Sequence, residues 1–341
     1  MSNDDLTRSH TTISTIIPAH NAADYIQQTL NSIAAQTFKP TEIILIDDAS
    51  TDNSTEIARQ TAANSELNLR VLSVNVKNAA TARNAGIAVA TGGWIAFLDA
   101  DDIWRPNHLQ QALELLTGTN DVAYMANHDW LRNGTPQPIP ESLRPKRNRS
   151  GTGLAHLYFA ELMSQGFHFG HSTVLYQADR LREVGGFDES QLRRHDIDLW
   201  LRVVANHTWA WGNEPAAHYR IDTPGSISKN TIDAEYYYLR ALLRNAADYR
   251  SVAMQSLINT CARRATSLAF VDGTQEQYNR VRPLAWPYLP AAFRAAYQVG
   301  NLFRPGLRGA VRLKRRAYWS RANWHRPANG QAAAFARGEE R

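Results

Sequence analysis

The chain has 341 residues, 43% of them apolar and 20% charged, which fits one large globular domain or a domain with an accessory region. No run approaches the roughly 18 apolar residues that cross a bilayer, and the opening MSNDDLTRSH lacks the basic-then-apolar order of a secretory leader, so spanning and exported classes are set aside. The net charge of +5 is uneven: residues 301–341 hold ten Lys/Arg against two Asp/Glu, which leaves the remainder net acidic and speaks against a nucleic-acid-binding body.

In chain order, Ile13–Pro18 reads as a buried strand. A helix follows with Tyr25, Ile26, Leu30, Ile33 and Ala34 on one face, for which Asn21 or Asp24 can supply the cap. Glu42–Asp47 is a second strand, Asp52–Asn64 a helix, Leu69–Val74 a third strand, Thr81–Ala90 a helix, Trp94–Leu98 a fourth strand and Arg105–Leu116 a helix. This alternation predicts an α/β fold: a mostly parallel twisted sheet with helices on both faces. Further on, Asp121–Leu131 reads as extended and Thr135–Ser150, rich in proline and arginine, as a surface loop. Ser172–Tyr176 is short and apolar, Gln177–Val184 and Asp196–Ala205 read as helices, and Ala216–Ile221 as a late strand. From Ile232 helical patterns dominate, broken by Pro283, Pro287, Pro290 and Pro305. Cys261, the single cysteine, reads as a small buried side chain; with no disulfide open to it, a reducing cytoplasmic setting is expected.

Ligands of such sheets bind beyond the carboxyl ends of the strands, and two strands end in acid there. Asp99-Ala100-Asp101-Asp102 places three carboxylates within four residues, a repulsion that a divalent cation relieves. Mg²⁺ or Mn²⁺ suits one or two carboxylates, with waters and substrate phosphates completing the shell. Asp102 also reads as an ordinary helix cap. In the Asp47–Asp52 turn, Asp52 can cap the next helix and Asp48 can accept from a pyrimidine N3–H. Pro18, His20 and Asn21 face the same edge, and Arg83 can reach a base or phosphate from the third helix.

These segments resemble a known family. IIPAHNAADYIQQTLNSIAAQTFKPTEIILIDDASTDNS and NAATARNAGIAVATGGWIAFLDADD, then VGGFDES, HDIDLWLR and YRIDTPGSIS, resemble family-two inverting glycosyltransferases with the GT-A fold, over roughly residues 12–228. The resemblance implies a catalytic domain over 12–230, divided into a nucleotide-sugar half at 12–117 and an acceptor half at 118–230. It leaves residues 1–11 as a disordered N-terminus and 231–341 as a helical C-terminal region with a basic tail. It implies that Pro18, His20 and Asn21 line the nucleotide pocket, Asp48 binds the base (uracil in most relatives) and Arg83 holds the nucleotide. Asp99 then touches ribose or metal, Asp101 ligates Mn²⁺ or Mg²⁺, and Asp196 is the catalytic base. Trp200 stands near the acceptor or, equally, in the core. His195 departs from the family pattern, which often has Glu there; protonated, it would lower the pKa of Asp196. Asp222 or His218 are candidates for a metal or diphosphate contact.

The implied reaction is metal-dependent transfer of a hexosyl or N-acetylhexosaminyl group from a nucleotide sugar, UDP-linked in most relatives, to an acceptor hydroxyl. The acceptor is a saccharide or lipid-linked saccharide, in cell-surface polysaccharide or lipopolysaccharide assembly. The basic, aromatic stretch 301–326, with a helix at Val311–Ala322, suits an anionic membrane surface, hence a cytoplasmic or peripheral placement at the inner face of the membrane. Two other readings stand beside this one. A sugar nucleotidyltransferase wants a Gly-rich basic loop after the first strand, and PAHNAADY is not one. An inactive nucleotide-sugar-binding partner is invited only by His195.

Overall fold

The computed structural model describes residues 12–138, 149–151, 170–223, 231–248 and 252–302. Residues 1–11, 303–341, the middle of the proline- and arginine-rich stretch and the Val311–Ala322 helix lie outside them. The described residues divide into two compact units, one over 12–138, 149–151 and 170–223, the other over 231–248 and 252–302.

The first unit is built on a sheet of ten strands among the described residues: β1 Ile13–Ala19, β2 Glu42–Asp48, β3 Leu69–Val74, β4 Trp94–Phe97, β5 Ile103–Trp104, β6 Ala123–Arg132, β7 Thr135–Gln137, β8 Arg149–Gly151, β9 Val174–Gln177 and β10 Trp209–Arg220. Their order is β3-β2-β1-β4-β9-β6-β10-β5, with β7 beside β6 and β8 beside β10. The quartet β3-β2-β1-β4 is parallel throughout, as the strand–helix alternation requires. Beyond it the sheet is mixed: β9 runs antiparallel to both β4 and β6, while β6 and β10 are parallel.

Helices α1 Ile26–Ala34, α2 Ser54–Asn64, α3 Ala79–Val89, α4 His108–Leu116, α5 Ala178–Glu183 and α6 His195–Val204 complete this unit. Successive strand side chains point to opposite faces. Ile13, Ile17, Ile43 and Leu45 form one core with Ile26, Leu30 and Ile33 of α1 and Ala58 of α2. Ile16, on the other face, meets α3 at Gly86, where an added Cβ would stand 2.7 Å from its Cγ2. Both faces are therefore covered, which is why β1 and β2 are near-continuous apolar runs.

Several local expectations need correction. Neither Asn21 nor Asp24 caps α1, whose N-cap is Tyr25 with no side-chain bond. Asn21 takes a left-handed φ of 50° and points its amide to the β2 turn instead. Asp102 caps no helix, since α4 begins only at His108. The Thr135–Ser150 loop contains β7 and the first two residues of β8, both too short to show a period. The late strand begins at Trp209, because the Gly212–Pro215 stretch that hides it is a register shift inside one strand.

The second unit comprises α7 Thr231–Asn245, α8 Val252–Val271, α9 Gln275–Ala285 and α10 Ala291–Leu302. A capping box at Thr274 and Gln277 starts α9. Pro283 does not break that helix but lies in its last turn, whereas Pro290 directly precedes α10. Cys261 is buried in α8. Among the described residues no helix is long and apolar enough to cross a membrane.

Candidate active site

The carboxyl ends of β1, β2 and β4 converge as the strand order requires. His20 Nδ1 lies 2.6 Å from the Asp48 carbonyl oxygen. The Asn21 side-chain oxygen accepts from the Thr51 N–H at 2.8 Å, and the Ser50 hydroxyl accepts from the Asn21 N–H at 2.9 Å. His20 and Asn21 are exposed. Asp52 is not the N-cap of α2, which is Asn53 with no side-chain bond, but stands just before it and accepts from the Ser54 N–H and the Ala23 N–H, each at 3.0 Å.

Asp48 is buried, and its carboxylate is engaged by backbone. Its Oδ1 accepts from Val76 and Lys77 N–H at 2.8 and 3.0 Å, its Oδ2 from Asn78 N–H at 3.2 Å. The loop that these bonds shape leads into α3, which the Asn78 side chain caps through Ala80 N–H at 2.9 Å. On α3, the buried Arg83 points into the site. Its guanidinium pairs with the Asp99 carboxylate at the end of β4 and donates to His195 Nε2 at 3.1 Å and to the Ala79 carbonyl at 3.3 Å. The Phe187 ring lies 5.8 Å from it.

The acidic turn is anchored from four sides. Ser172 Oγ donates to Asp102 Oδ2 at 2.5 Å and accepts the Asp99 N–H at 3.1 Å. The Arg220 N–H binds Asp102 Oδ1 at 2.9 Å, and the Arg220 side chain binds the Asp101 carbonyl at 3.0 Å. Thr29 of α1 donates to the Ala100 and Asp102 carbonyls. Thr223 Oγ1 donates to Asp101 Oδ2 at 2.6 Å. Burial pushes the Asp101 carboxyl up, and neighbouring Asp99 pushes it further. Burial holds Asp102 well above the usual carboxylate range, with Asp101 and Asp99 adding to it. Asp102, Ser172, Arg220 and Thr223 are the positions that sequence reasoning missed as site-builders. Only Asp102 carried a signal, as the third acid of its run.

Among the described residues no group of three His, Cys, Asp or Glu side chains is placed to hold a metal. The pair Asp99 and Asp101 nevertheless fits a hard divalent cation: both offer oxygen, and their mutual repulsion raises Asp101. Two carboxylates with waters and phosphates suffice for Mg²⁺-like ions.

Helix α6 also comes to this edge, through the contact of His195 with Arg83. Asp196 lies in its first turn, partly buried, with Oδ1 accepting from the Ile197 N–H at 2.9 Å. Burial raises its pKa, Arg194 and Arg83 oppose the rise, and Asp99 adds to it; Asp196 thus lies within electrostatic reach of Arg83 and Asp99. His195 is not a cation. Burial, and then Arg83, push it down to about 3, so a protonated His195 lowering the pKa of Asp196 is overturned. Trp200 is fully buried between Tyr176 and Trp209, with ring centroids 6.0 and 4.9 Å away, the core member of its two readings. Asp222 Oδ2 accepts from the Asn133 N–H at 2.5 Å. His218 pairs with Ile103 and Asp129 in the sheet, and burial lowers its pKa. Among the described residues neither is hydrogen-bonded to Asp99 or Asp101.

Comparison with known proteins places the chain in a family. The model of glycosyl transferase family 2 matches residues 14–171. The chain is 30% identical over 225 residues to the putative teichuronic acid biosynthesis glycosyltransferase TuaG of Bacillus subtilis, covering 64% of this chain and 82% of TuaG. It is 32% identical over 226 residues to the amylovoran biosynthesis glycosyltransferase AmsB of Erwinia amylovora, covering 62% of this chain and 70% of AmsB. Against another relative, an uncharacterized glycosyltransferase of Nostoc, the match spans 40% of that protein's length. Among solved structures, S. aureus TarS 1–349 in complex with UDP-GlcNAc superposes with a TM-score of 0.65 at 18% identity, over 82% of each chain, a likeness of fold. The sheet order, the acidic turn ending β4 and these matches together make the chain a member of glycosyltransferase family 2 with the GT-A fold.

Proposed function

We propose that the protein is an inverting, metal-dependent transferase that moves a hexosyl or N-acetylhexosaminyl unit from a UDP-linked donor to an acceptor hydroxyl. The observation that supports this reading is that α6 reaches the acidic turn: His195, next to Asp196, stands 3.1 Å from Arg83, which pairs with Asp99. The UDP-GlcNAc complex of TarS and the polysaccharide roles in the names of TuaG and AmsB support the donor class and a place in cell-surface polysaccharide assembly.

The uridine would lie along the β1 and β2 ends, against Pro18, His20 and Asn21. Asp48 has both lone pairs of Oδ1 engaged by loop N–H groups but only one bond on Oδ2, which leaves an acceptor for a base N3–H. Arg83 would hold the phosphates. Asp99 and Asp101 would hold a divalent cation, which supplies Lewis-acid stabilisation of the departing diphosphate when bound.

Asp196 takes the proton from the acceptor hydroxyl as that oxygen attacks the anomeric carbon. One displacement from the face opposite the leaving group inverts the configuration and needs no covalent enzyme intermediate. A carboxyl raised by burial is a stronger base than a solvated one, and Arg194 and Arg83 oppose the rise.

Thermal unfolding against a panel of nucleotides and nucleotide sugars, with Mn²⁺, Mg²⁺ or chelator, tests the reading, since a ligand of the native state raises Tm by mass action. A metal-dependent rise with UDP, larger with one UDP-sugar, is expected. A rise with another nucleotide alone overturns the uracil assignment of Asp48. No rise with any nucleotide overturns the proposed donor class.

A further inference from the structure

One histidine in the site makes a contact that the proposed chemistry does not use. Arg83 Nη1 stands 3.1 Å from His195 Nε2. A guanidinium has donors only, so Nε2 must present a lone pair and the ring proton must sit on Nδ1. A hydrogen bond with the Gln191 backbone also holds the ring. The Phe187 ring meets the imidazole edge-on at 5.5 Å.

The Gln191 side of this link is itself anchored to α3. Asn78 donates to the Glu189 carbonyl at 3.0 Å, and Asn84 donates to the Phe187 carbonyl at 3.0 Å. On the other side Arg83 pairs with Asp99. Its buried Nε has no hydrogen-bond partner among the described residues, a donor still available on a guanidinium that is otherwise held rigidly. His195 holds that guanidinium without neutralising it. A carboxylate in the same place would hold Arg83 equally well and cancel its charge.

We propose that His195 is a positioning residue for donor binding: as a neutral acceptor it fixes Arg83 beside Asp99 and leaves the guanidinium charge for the phosphates of the nucleotide. This rests on the functional reading above. When a cation occupies the Asp99–Asp101 pair, Asp99 no longer needs Arg83 as its counter-ion, and Arg83 is then already aimed at the anion that the cation accompanies. Burial and the neighbouring Arg83 push the ring down to about 3, in keeping with the neutral acceptor that the contact with Arg83 requires.

The test uses the full-length protein and three variants, His195→Ala, His195→Gln and His195→Glu, with UDP and Mn²⁺ as the probe in calorimetry and near-UV circular dichroism as the folding control. In H195A the dissociation constant for UDP is expected to rise about tenfold, the weight of one charge-assisted hydrogen bond. In H195Q, whose amide oxygen is a neutral acceptor, most of the affinity returns. H195E, which holds Arg83 but cancels its charge, binds UDP as weakly as H195A. A folded H195A that binds like wild type overturns the proposal, and so does an H195Q as weak as H195A or an H195E as tight as wild type. Long-range ¹H–¹⁵N spectra read the placement without any ligand: a neutral Nδ1–H ring at pH 7 supports it, and a protonated or Nε2–H ring overturns it. Wild-type protein that carries the Nδ1–H ring yet binds no nucleotide sinks the donor reading of the site, while the contact with Arg83 stands.

Discussion

The Ser172 hydroxyl bridges two parts of the acidic turn, donating to the Asp102 carboxylate at 2.5 Å and accepting the Asp99 N–H at 3.1 Å. Ser172 enters from the turn before β9, a segment remote in sequence, and is buried. Ser172→Ala leaves a buried carboxylate oxygen and a backbone N–H without this partner. It should destabilise the protein by about 2 kcal/mol and weaken cation-dependent UDP binding, because the Asp99 backbone loses its tether. Urea unfolding gives the first quantity and calorimetry the second; an unchanged urea midpoint contradicts the assigned role.

Asp196→Asn keeps the shape of the first turn of α6 but removes the proposed base. Turnover should fall about 10²- to 10⁴-fold with donor binding near normal. In the wild type a raised carboxyl moves the acid limb of the kcat/KM profile above the ordinary aspartate value of 3.8. Activity is lost as pH falls through that raised value, because the protonated form cannot accept the hydroxyl proton. Near-wild-type turnover in D196N would show that another group is the base.

Asp101→Ala removes one of the two candidate ligands and the acceptor of the Thr223 hydroxyl bond. The Tm rise produced by UDP should then no longer depend on Mn²⁺ or Mg²⁺. A full metal-dependent rise in D101A would place the cation elsewhere.

His108 is buried against Trp104 and Tyr124, neither of its nitrogens has a hydrogen-bond partner among the described residues, and burial pushes it down to about 3. Between pH 3 and 6.5 the unfolded chain binds a proton here that the folded chain refuses. This histidine therefore takes stability away as pH falls from 6.5, by up to about 1.4 kcal/mol per unit. His195 acts in the same sense, while raised carboxyls such as Asp102 act in the opposite sense at pH above 3.8. The difference between wild type and His108→Phe isolates the one group: the variant should unfold less readily at pH 5, and the gap should shrink at pH 7.5. A constant gap across that range rules out titration as its source.

What the sequence discloses follows from what a sequence can encode locally. β1, β2 and β4 are legible because burial on both faces demands unbroken apolar runs, and their ends carry Asp48 and Asp99 to one edge. The sequence points to Arg83 and Asp99 separately, and the structure joins them directly. Trp200 was ambiguous because an aromatic on a buried helix face reads alike in a core and beside a ligand. The links Ser172–Asp102, Arg220–Asp102 and Thr223–Asp101 were not legible, since each joins short polar residues from chain segments far apart, and no periodicity marks such pairs. The neutrality of His195 was missed for a related reason: the sequence gives no measure of burial or of a guanidinium 112 positions away.

One further link is the amide of Asn84, which brackets Phe187: its oxygen accepts from the Phe187 N–H at 2.8 Å and its nitrogen donates to the Phe187 carbonyl at 3.0 Å. Gly186, with φ of 65°, lets the chain enter this bracket, because an added Cβ would stand 2.6 Å from the Asn84 oxygen. Phe187 then packs against Phe97, His171 and His195. A single side chain thereby imitates a rung of sheet between α3 and the approach to α6. In the proposed reaction this joint, which ties the approach to α6 to α3, would gauge the separation between the base on α6 and Arg83 on α3.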